Sequence, residues 1–198
     1  MKEIYNRIGL ILQIIEDFKY TSYLEIGCRQ DSTFSKIPIT KVGVDPVLGG
    51  TVRKTSDEYF SSLAADVTFD IIFIDGLHVA EQVTRDIENS LKHLNAGGTI
   101  VVHDAHPVKE EHPFQKPVVS TWTGDVWKAL VNIRQDLNLD LRTADINFGC
   151  AVIKVRKNTD PIKLDKPYTQ LTWKEFVDNS QRWLRFCTPE DIMQWLKE

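Results

Sequence analysis

The feature that most constrains this fold is a pair of apolar, strand-like runs separated by a long amphipathic helical pattern. The runs are FDIIFID, residues 69–75, and TIVVHD, residues 99–104. Between them, apolar residues recur at helical spacing from Val79 to Leu94, and we expect Gly97 to close the helix. Apolar runs without polar alternation are typical of strands buried on both faces, as in parallel sheets covered by helices. This order predicts a β–α–β unit in the interior of the protein.

The same alternation continues on both sides of that unit. A helical pattern from Ile4 to Phe18 precedes three further strand-like segments, SYLEIG, KVGVD and TVRKT. After a helix around Leu130 come two last strands, LDLRTADI and FGCAVIKV, whose short connection leaves no room for a crossover helix. The sequence therefore predicts an α/β fold with a doubly wound, mostly parallel seven-stranded sheet, its last strand antiparallel, of the Rossmann-like type.

The strand pattern ends before the last quarter of the chain. Residues 1–156 are predicted to form one domain, and residues 157–198 a linker and C-terminal helices packed on it, with helix starts at Thr172 and Thr188. Residues 104–123 contain three prolines and neither a helix nor a strand pattern. A long loop of this kind is typical of a lid, which we expect to become ordered when ligands bind.

Composition narrows the class of partner. The 198 residues carry a formal net charge of -4 with scattered Lys and Arg, which argues against a nucleic-acid partner. No apolar run approaches the ~18 residues of a membrane span, so we expect no membrane insertion. The three cysteines are widely spaced, which argues against a disulfide framework and favours a reducing, cytoplasmic location.

Polar residues follow the predicted strands at the edge where ligands bind in doubly wound sheets. Asp75 and His78 leave one strand, and His103 and Asp104 end the next. Neighbouring strands lie about 4.8 Å apart, so these side chains should converge on one small volume. Carboxylates and imidazoles grouped in this way suit a divalent cation or acid–base chemistry.

The segment YLEIGCRQD followed by VGVD resembles the first two motifs of class I S-adenosylmethionine-dependent methyltransferases, with strand and motif order similar over residues 20–156. Residues 1–156 would then be the S-adenosylmethionine-binding domain. The resemblance implies that Glu25 and Gly27 lie at the methionine part of the cofactor, that Asp45 accepts the ribose hydroxyls, and that residues after the third strand contact adenine. The implied cofactor-binding residues are Glu25, Gly27, Cys28, Asp45, Ser56, Asp57 and Asp75, with the Cys28 side chain expected to be a small buried apolar group.

The run FIDGLH with VVHD is similar to the macrocin O-methyltransferase type and to the related cephalosporin hydroxylase-like group. This resemblance implies that Asp75 and Asp104 hold a magnesium ion and that His78 is the catalytic base. His103 stands where the family often has a carboxylate and is a third candidate ligand, which leaves open a softer ion such as manganese or a site without a metal. The implied reaction is O-methylation of a hydroxyl on a saccharide or a glycosylated small molecule.

Other functions stay open at this point. The chain could be a non-catalytic adenosyl-ligand-binding protein or a hydroxylase-like relative of the same fold. An NAD-dependent oxidoreductase is disfavoured because the phosphate-binding glycine pattern is absent and Asp31 stands near the place of its later glycine. The expected partner is a small-molecule acceptor. The aromatic C-terminal tail also leaves a homodimer open, although we expect it to pack on its own domain.

Overall fold

The computed structural model describes residues 4–114 and 122–198. Its seven strands form one sheet in the order β2-β1-β3-β4-β6-β5-β7. The strands are β1 (Ser22–Ile26), β2 (Thr40–Val44), β3 (Phe69–Ile74), β4 (Leu94–Val102), β5 (Leu139–Ala144), β6 (Cys150–Val155) and β7 (Phe186–Cys187). The α-helices are α1 (Arg7–Phe18), α2 (Ser56–Ser62), α3 (Ala80–Lys92), α4 (Val126–Ile133), α5 (Trp173–Leu184) and α6 (Pro189–Leu196).

The strand directions confirm the predicted fold class. Strands β1 to β4 pair in parallel, and β6 is antiparallel to both of its neighbours, β4 and β5. The carboxyl ends of β1, β2, β3, β4 and β5 therefore lie at one edge of the sheet, which we call the carboxyl edge. We call the opposite edge the amino edge.

Two predicted boundaries are wrong. TVRKT is not a strand but contributes a single parallel bridge between Val44 and Val52, because Val52 is its only apolar side chain. The seventh strand is instead β7, which pairs in parallel with β5 at the far side of the sheet. Helix α3 ends at Lys92 rather than at Gly97, which lies inside β4. The helix stops early because the His93 carbonyl accepts the Phe69 N–H at 2.8 Å and so joins the sheet.

Helices cover both faces of the sheet, which explains the apolar run Ile71–Ile74 in β3. Ile72 and Ile74 pack in a core that contains side chains of α2, α3, α4 and α5, whereas Ile71 and Phe73 pack in a second core with α1 and α6. Each of these side chains is almost fully buried. Burying such a side chain contributes ~1.5–3 kcal/mol to the free energy of unfolding.

The C-terminal tail packs on the sheet. Arg134 is fully buried and fixes the linker that follows β6 by donating to Asn158 and Asp160, and it also donates to the Trp183 carbonyl at the end of α5. The ring of Trp127 on α4 stacks on Trp183 at a centroid distance of 6.1 Å. Capping boxes begin both tail helices, at the two threonines that the sequence indicated. None of the helices in the two described ranges has the length and apolar character needed to cross a membrane.

Candidate functional site

The carboxyl edge brings together the side chains that follow β3 and β4. One ligand atom from each of Asp75, His78 and Asp104 lies within 4.8 Å of the others. His78 Nε2 lies 3.4 Å from Asp75 Oδ1 and 3.3 Å from Asp104 Oδ2. The predicted convergence of these three residues is therefore present in the structure. We call this group the Asp–His–Asp cluster.

The orientation of His78 is fixed from its other side. Its Nδ1 lies 3.2 Å from the carbonyl oxygen of Trp122, so Nδ1 carries the proton and Nε2 faces the two carboxylates. The Trp122 ring stacks on the imidazole at a centroid distance of 4.9 Å. Gly124 has a φ of 59°, and a Cβ there would lie 1.8 Å from the His78 carbonyl oxygen. The chain can therefore approach His78 this closely only with glycine at position 124.

His103 lies beside the cluster. Its Nδ1 is 3.2 Å from Asp75 Oδ1 and 3.3 Å from Asp104 Oδ2, while its Nε2 is buried with no hydrogen-bond partner among the described residues. Burial alone would lower the pKa of His103, but the two carboxylates outweigh burial and raise it to about 10. In the same way, burial would raise the pKa of Asp75, yet the two histidines hold it well below its usual range. The Asp75 carboxylate is therefore ionised at neutral pH, and His103 lies within 3.3 Å of both acidic side chains and orients them.

Asp104 takes an uncommon backbone conformation. Its φ is 57°, in the left-handed region that L residues other than Asn and Asp rarely adopt. The next residue, Ala105, donates its N–H to the Gly149 carbonyl at 3.2 Å, so the turn before β6 supports the conformation. Strain of this kind is typical of functional sites, and here it aims a carboxylate into the cluster.

Arg7 enters the site from α1, and the sequence analysis missed it. Its Nε donates to Thr33 Oγ1 at 3.1 Å and lies 3.9 Å from Asp75 Oδ2. Its two terminal nitrogens donate to Ser32 and Asn147. One guanidinium group thus joins the loop after β1, the cluster and the turn between β5 and β6. A lone arginine at the start of an amphipathic helix carries no motif, so only the fold reveals its position.

The loop after β1 explains Glu25 and Gly27. Glu25 is buried and accepts a short hydrogen bond from the Tyr23 hydroxyl. Burial raises the pKa of Glu25 to about 8, although the hydrogen bond from Tyr23 opposes the shift. Gly27 has a φ of 89°, and a Cβ there would lie 2.2 Å from the Asp75 carbonyl oxygen. Glycine is therefore required at position 27 by the close approach of the ends of β1 and β3.

Cys28 and Asp45 hold the neighbouring loops. The Cys28 thiol is buried, with Gly43 and Gly50 close by, and burial raises its pKa. The Asp45 carboxylate accepts backbone N–H groups from Arg29 at 2.8 Å, Val47 at 2.8 Å and Leu48 at 2.9 Å. A carboxylate has about four acceptor positions. Three are therefore used within the protein, and about one remains for a ligand hydroxyl.

Ser56 and Asp57 lie apart from the cluster, at the start of α2. Both accept from the Gln82 amide on α3, and Asp57 also pairs with Arg85 at 3.3 Å. His106, two residues after Asp104, contacts Asp145 at 2.8 Å and is not part of the cluster. Of the predicted lid, residues 104–123, the segment 115–121 lies outside the described residues.

A family model described as a methyltransferase domain matches residues 24–105. This part of the chain is similar to methyltransferase domains. The matched segment begins in β1 and ends one residue after Asp104, so it contains all three members of the Asp–His–Asp cluster. The resemblance to class I methyltransferases is confirmed for this segment. No curated protein matches the chain.

Solved structures share the fold beyond the matched segment. The O-methyltransferase from Bacillus cereus in complex with S-adenosylhomocysteine (SAH) is 13% identical, has a TM-score of 0.57, and the match covers 78% of this chain and 83% of that one. SAH-bound PaMTH1 from Podospora anserina is 15% identical, with a TM-score of 0.55 and coverage of 76% and 78%. The O-methyltransferase TomG from Streptomyces achromogenes, in complex with SAM, is 13% identical, with a TM-score of 0.54 and coverage of 75% and 78%. At these identities the likeness shows a common fold.

Proposed function

We propose that this protein transfers the methyl group of S-adenosylmethionine to a hydroxyl group of a small-molecule acceptor. The observation that carries the proposal is the Asp–His–Asp cluster at the carboxyl edge of a methyltransferase domain. In doubly wound sheets the ligand lies beyond the carboxyl ends of the strands, so donor and acceptor would meet at this edge. The methyl group of the sulfonium is already activated, and the protein mainly has to align the two reactants.

The donor would lie across the loops that follow β1 and β2. In this proposal Asp45 accepts a ribose hydroxyl with its remaining acceptor position, and Ser56 and Asp57 border the adenine. Arg7 would bind the carboxylate of the methionine part. Its guanidinium has five N–H donors, of which three are used by neutral oxygen atoms. The Arg7 guanidinium is therefore a largely buried cation that keeps two N–H groups for a ligand. It lies beside the loop that carries Glu25 and Gly27.

The residues of the cluster fit a divalent cation. Two aspartate side chains and one imidazole nitrogen face a common point, and a backbone carbonyl fixes the imidazole tautomer as it does in metal sites. Asp75, His78 and Asp104 would hold the ion, and His103 would donate to the carboxylates from outside. A mixed oxygen and nitrogen donor set suits manganese at least as well as magnesium. The cation, when bound, lowers the pKa of an acceptor hydroxyl.

This arrangement changes the role of His78 from the base implied by the resemblance to a ligand. Its Nε2 faces the carboxylates at 3.3 and 3.4 Å, the position that a shared cation requires. Without a cation, the same Nε2 would be held by two carboxylates, which raise the pKa of His78 against the effect of burial. In that case His78 could act as a general base only after losing its proton. Metal dependence distinguishes these two mechanisms.

The saccharide acceptor also belongs to the proposal. Trp122 covers His78 with its ring and begins the chain that follows residues 115–121. An indole face stacks well on the C–H-rich face of a sugar ring. We also propose a cytoplasmic location for this protein, in which its three free cysteines would stay reduced. We further propose that residues 1–156 form the catalytic domain and that residues 157–198 pack on that domain.

The test of the proposed function is thermal unfolding with SAM or SAH, each with Mn²⁺, with Mg²⁺ and with a chelator. A ligand at 100 times its Kd adds ~2.7 kcal/mol, or roughly 5–11 °C for a protein of this size. We expect this shift with SAH, a further shift with Mn²⁺, and none with NAD. Transfer of labelled methyl groups from SAM to a panel of sugars and phenols would then identify the acceptor. The absence of any shift with saturating SAM and SAH would contradict the proposal.

A further inference from the structure

A second concave surface lies at the far side of the sheet, outside the matched methyltransferase segment. It is a cleft of about 340 Å³ between β5, the end of α5 and β7. Three arginines line it, Arg142 on β5 and Arg182 and Arg185 at the end of α5, and Phe186 supplies an apolar wall. We call it the arginine cleft.

The cleft is held in shape by the turn from α5 into β7. Arg185 ends α5 with a φ of 53° and sends its guanidinium to Asp140 at 2.8 Å. The Gln181 amide donates to the Phe186 carbonyl at 3.0 Å, which ties the helix to the strand. Phe186 in turn pairs with Thr143 of β5. The arginines are thus presented by regular secondary structure and its hydrogen bonds.

Positive charge exceeds negative charge around the cleft, although the whole chain carries a net charge of -4. Arg142 and Arg182 form no ion pair with any described carboxylate, and Arg185 shares Asp140 with Arg156. The acidic residue in the lining, Asp160, already pairs with the buried Arg134 at 3.2 Å. Asp140 pairs with Arg185, and Asp191 interacts with Arg142 at longer range, so the positive charge of the cleft is neutralised only in part, which favours an anion.

Arg142 adds an unsatisfied donor. Its Nε is buried and has no hydrogen-bond partner in the described part of the chain. The Arg142 guanidinium carbon lies 5.4 Å from the centre of the Trp195 ring, so one face of the guanidinium packs on the indole. Buried donors are normally paired, so the described residues leave this guanidinium incompletely satisfied, and its terminal nitrogens rather than the buried Nε would contact a ligand in the cleft.

We propose that the arginine cleft binds the phosphate group of a small phosphorylated molecule. Planar guanidinium groups donate two parallel hydrogen bonds to a phosphate, and a dianion balances the excess charge of Arg142 and Arg182. The cleft is larger than one phosphate ion, and Phe186 offers contact to the rest of the molecule. The site does not depend on the methyl transfer proposed above.

The test is an NMR titration of the ¹⁵N-labelled full chain with inorganic pyrophosphate, and separately with inorganic phosphate. A chelator and constant ionic strength exclude metal and screening effects. We expect saturable shifts of the amides of residues 182–187. Arg182→Gln and Arg142→Gln should each weaken binding by roughly tenfold, the loss of one charge-assisted contact. Arg142→Lys keeps the charge but lacks the planar fork, so it should recover only part of the affinity.

Lys174→Gln is the matched control, because it removes one positive charge from an 83% exposed side chain of the same helix. It should leave the affinity unchanged. Arg142 packs on Trp195, so its replacement can also affect folding, whereas Arg182 is exposed and tests the proposal independently. Shifts that never saturate, or equal effects of Arg182→Gln and Lys174→Gln, would overturn the proposal.

Discussion

Asp70 and Asp75 stand at opposite ends of the same apolar run, and their surroundings differ. At the amino edge, Asp70 accepts from the Thr21 and Ser22 N–H groups, at 2.8 and 3.0 Å, and from the Asn95 amide at 2.7 Å. These donors are neutral and complete its shell. At the carboxyl edge, Asp75 faces other ionisable groups: His78, His103 and Arg7.

The difference extends to the neighbours of each aspartate. At the amino edge, the Lys154 ammonium contacts the Gly97 carbonyl and the hydroxyls of Tyr20 and Thr99, so this buried cation is surrounded by acceptors. At the carboxyl edge, Asp104 is strained and the His103 Nε2 has no described partner. At the amino edge, the polar groups are paired with one another and stabilise the fold. At the carboxyl edge, charged groups are concentrated where we propose that a ligand binds.

The largest effect on activity should come from a comparison of two single substitutions, Asp75→Asn and Asp70→Asn. Asp75→Asn removes a carboxylate from the cluster, and we expect methyl transfer to fall by ~10²–10⁴, the usual contribution of such a group. Asp70→Asn should instead lower stability by ~1–3 kcal/mol while activity per folded molecule persists, because the donors that contact Asp70 lose one of its two acceptor oxygens and its negative charge. Initial rates and chemical denaturation of both variants measure this. A comparable loss of activity in both variants would remove the distinction between the edges.

The pH dependence of stability should report Glu25. Its pKa is raised to about 8 in the folded protein, so the folded state binds its proton more tightly than the unfolded chain. Its contribution is fully present below the unfolded pKa and is lost as pH rises through 8. We expect stability to fall by on the order of 2–4 kcal/mol between pH 5 and 9, and Glu25→Gln to flatten this fall. Urea denaturation of the unmodified protein and of Glu25→Gln between pH 5 and 9 would show whether their free energies of unfolding depend on pH in the same way.

Arg7 tests whether the carboxyl edge receives the methionine part of the donor. Arg7→Gln should weaken SAH binding by ~10–100-fold, since a charge-assisted contact is worth ~1.5–3 kcal/mol. The same change should leave methylthioadenosine, which lacks the amino acid, almost unaffected. Isothermal titration of both ligands gives the comparison. Equal weakening of both would show that Arg7 supports the loop rather than the carboxylate.

The smallest effect should come from Lys154, at the amino edge. Burial lowers its pKa to about 8, so its ammonium form is disfavoured in the folded state. This penalty is present below pH 8 and disappears as pH rises toward the unfolded value near 10.4. Stability should therefore gain ~1–2 kcal/mol between pH 8 and 10, opposite in sign to the effect of Glu25. Lys154→Met should abolish the gain, and an unchanged slope would contradict this account.

The sequence predicted what depends on local pattern. The apolar runs defined β3 and the later part of β4, and the polar residues after them converge as expected because carboxyl ends of parallel strands share an edge. Three features of the structure could not be predicted from the sequence. TVRKT has strand propensity but one apolar side chain, β7 is only two residues long, and Arg7 reaches the cluster from a helix 68 positions before Asp75. These depend on packing between distant segments, which periodicity does not encode.

The most direct test is the crystal structure of the protein grown with SAH and Mn²⁺, using anomalous diffraction to locate the ion. The account predicts SAH along the loops after β1 and β2, with its carboxylate on Arg7. It also predicts one manganese peak bounded by Asp75, His78 and Asp104. SAH at another surface, or its absence at saturating concentration, would contradict the proposed methyl transfer. SAH at the carboxyl edge with no manganese peak in the cluster would contradict the metal site and return His78 to the role of base.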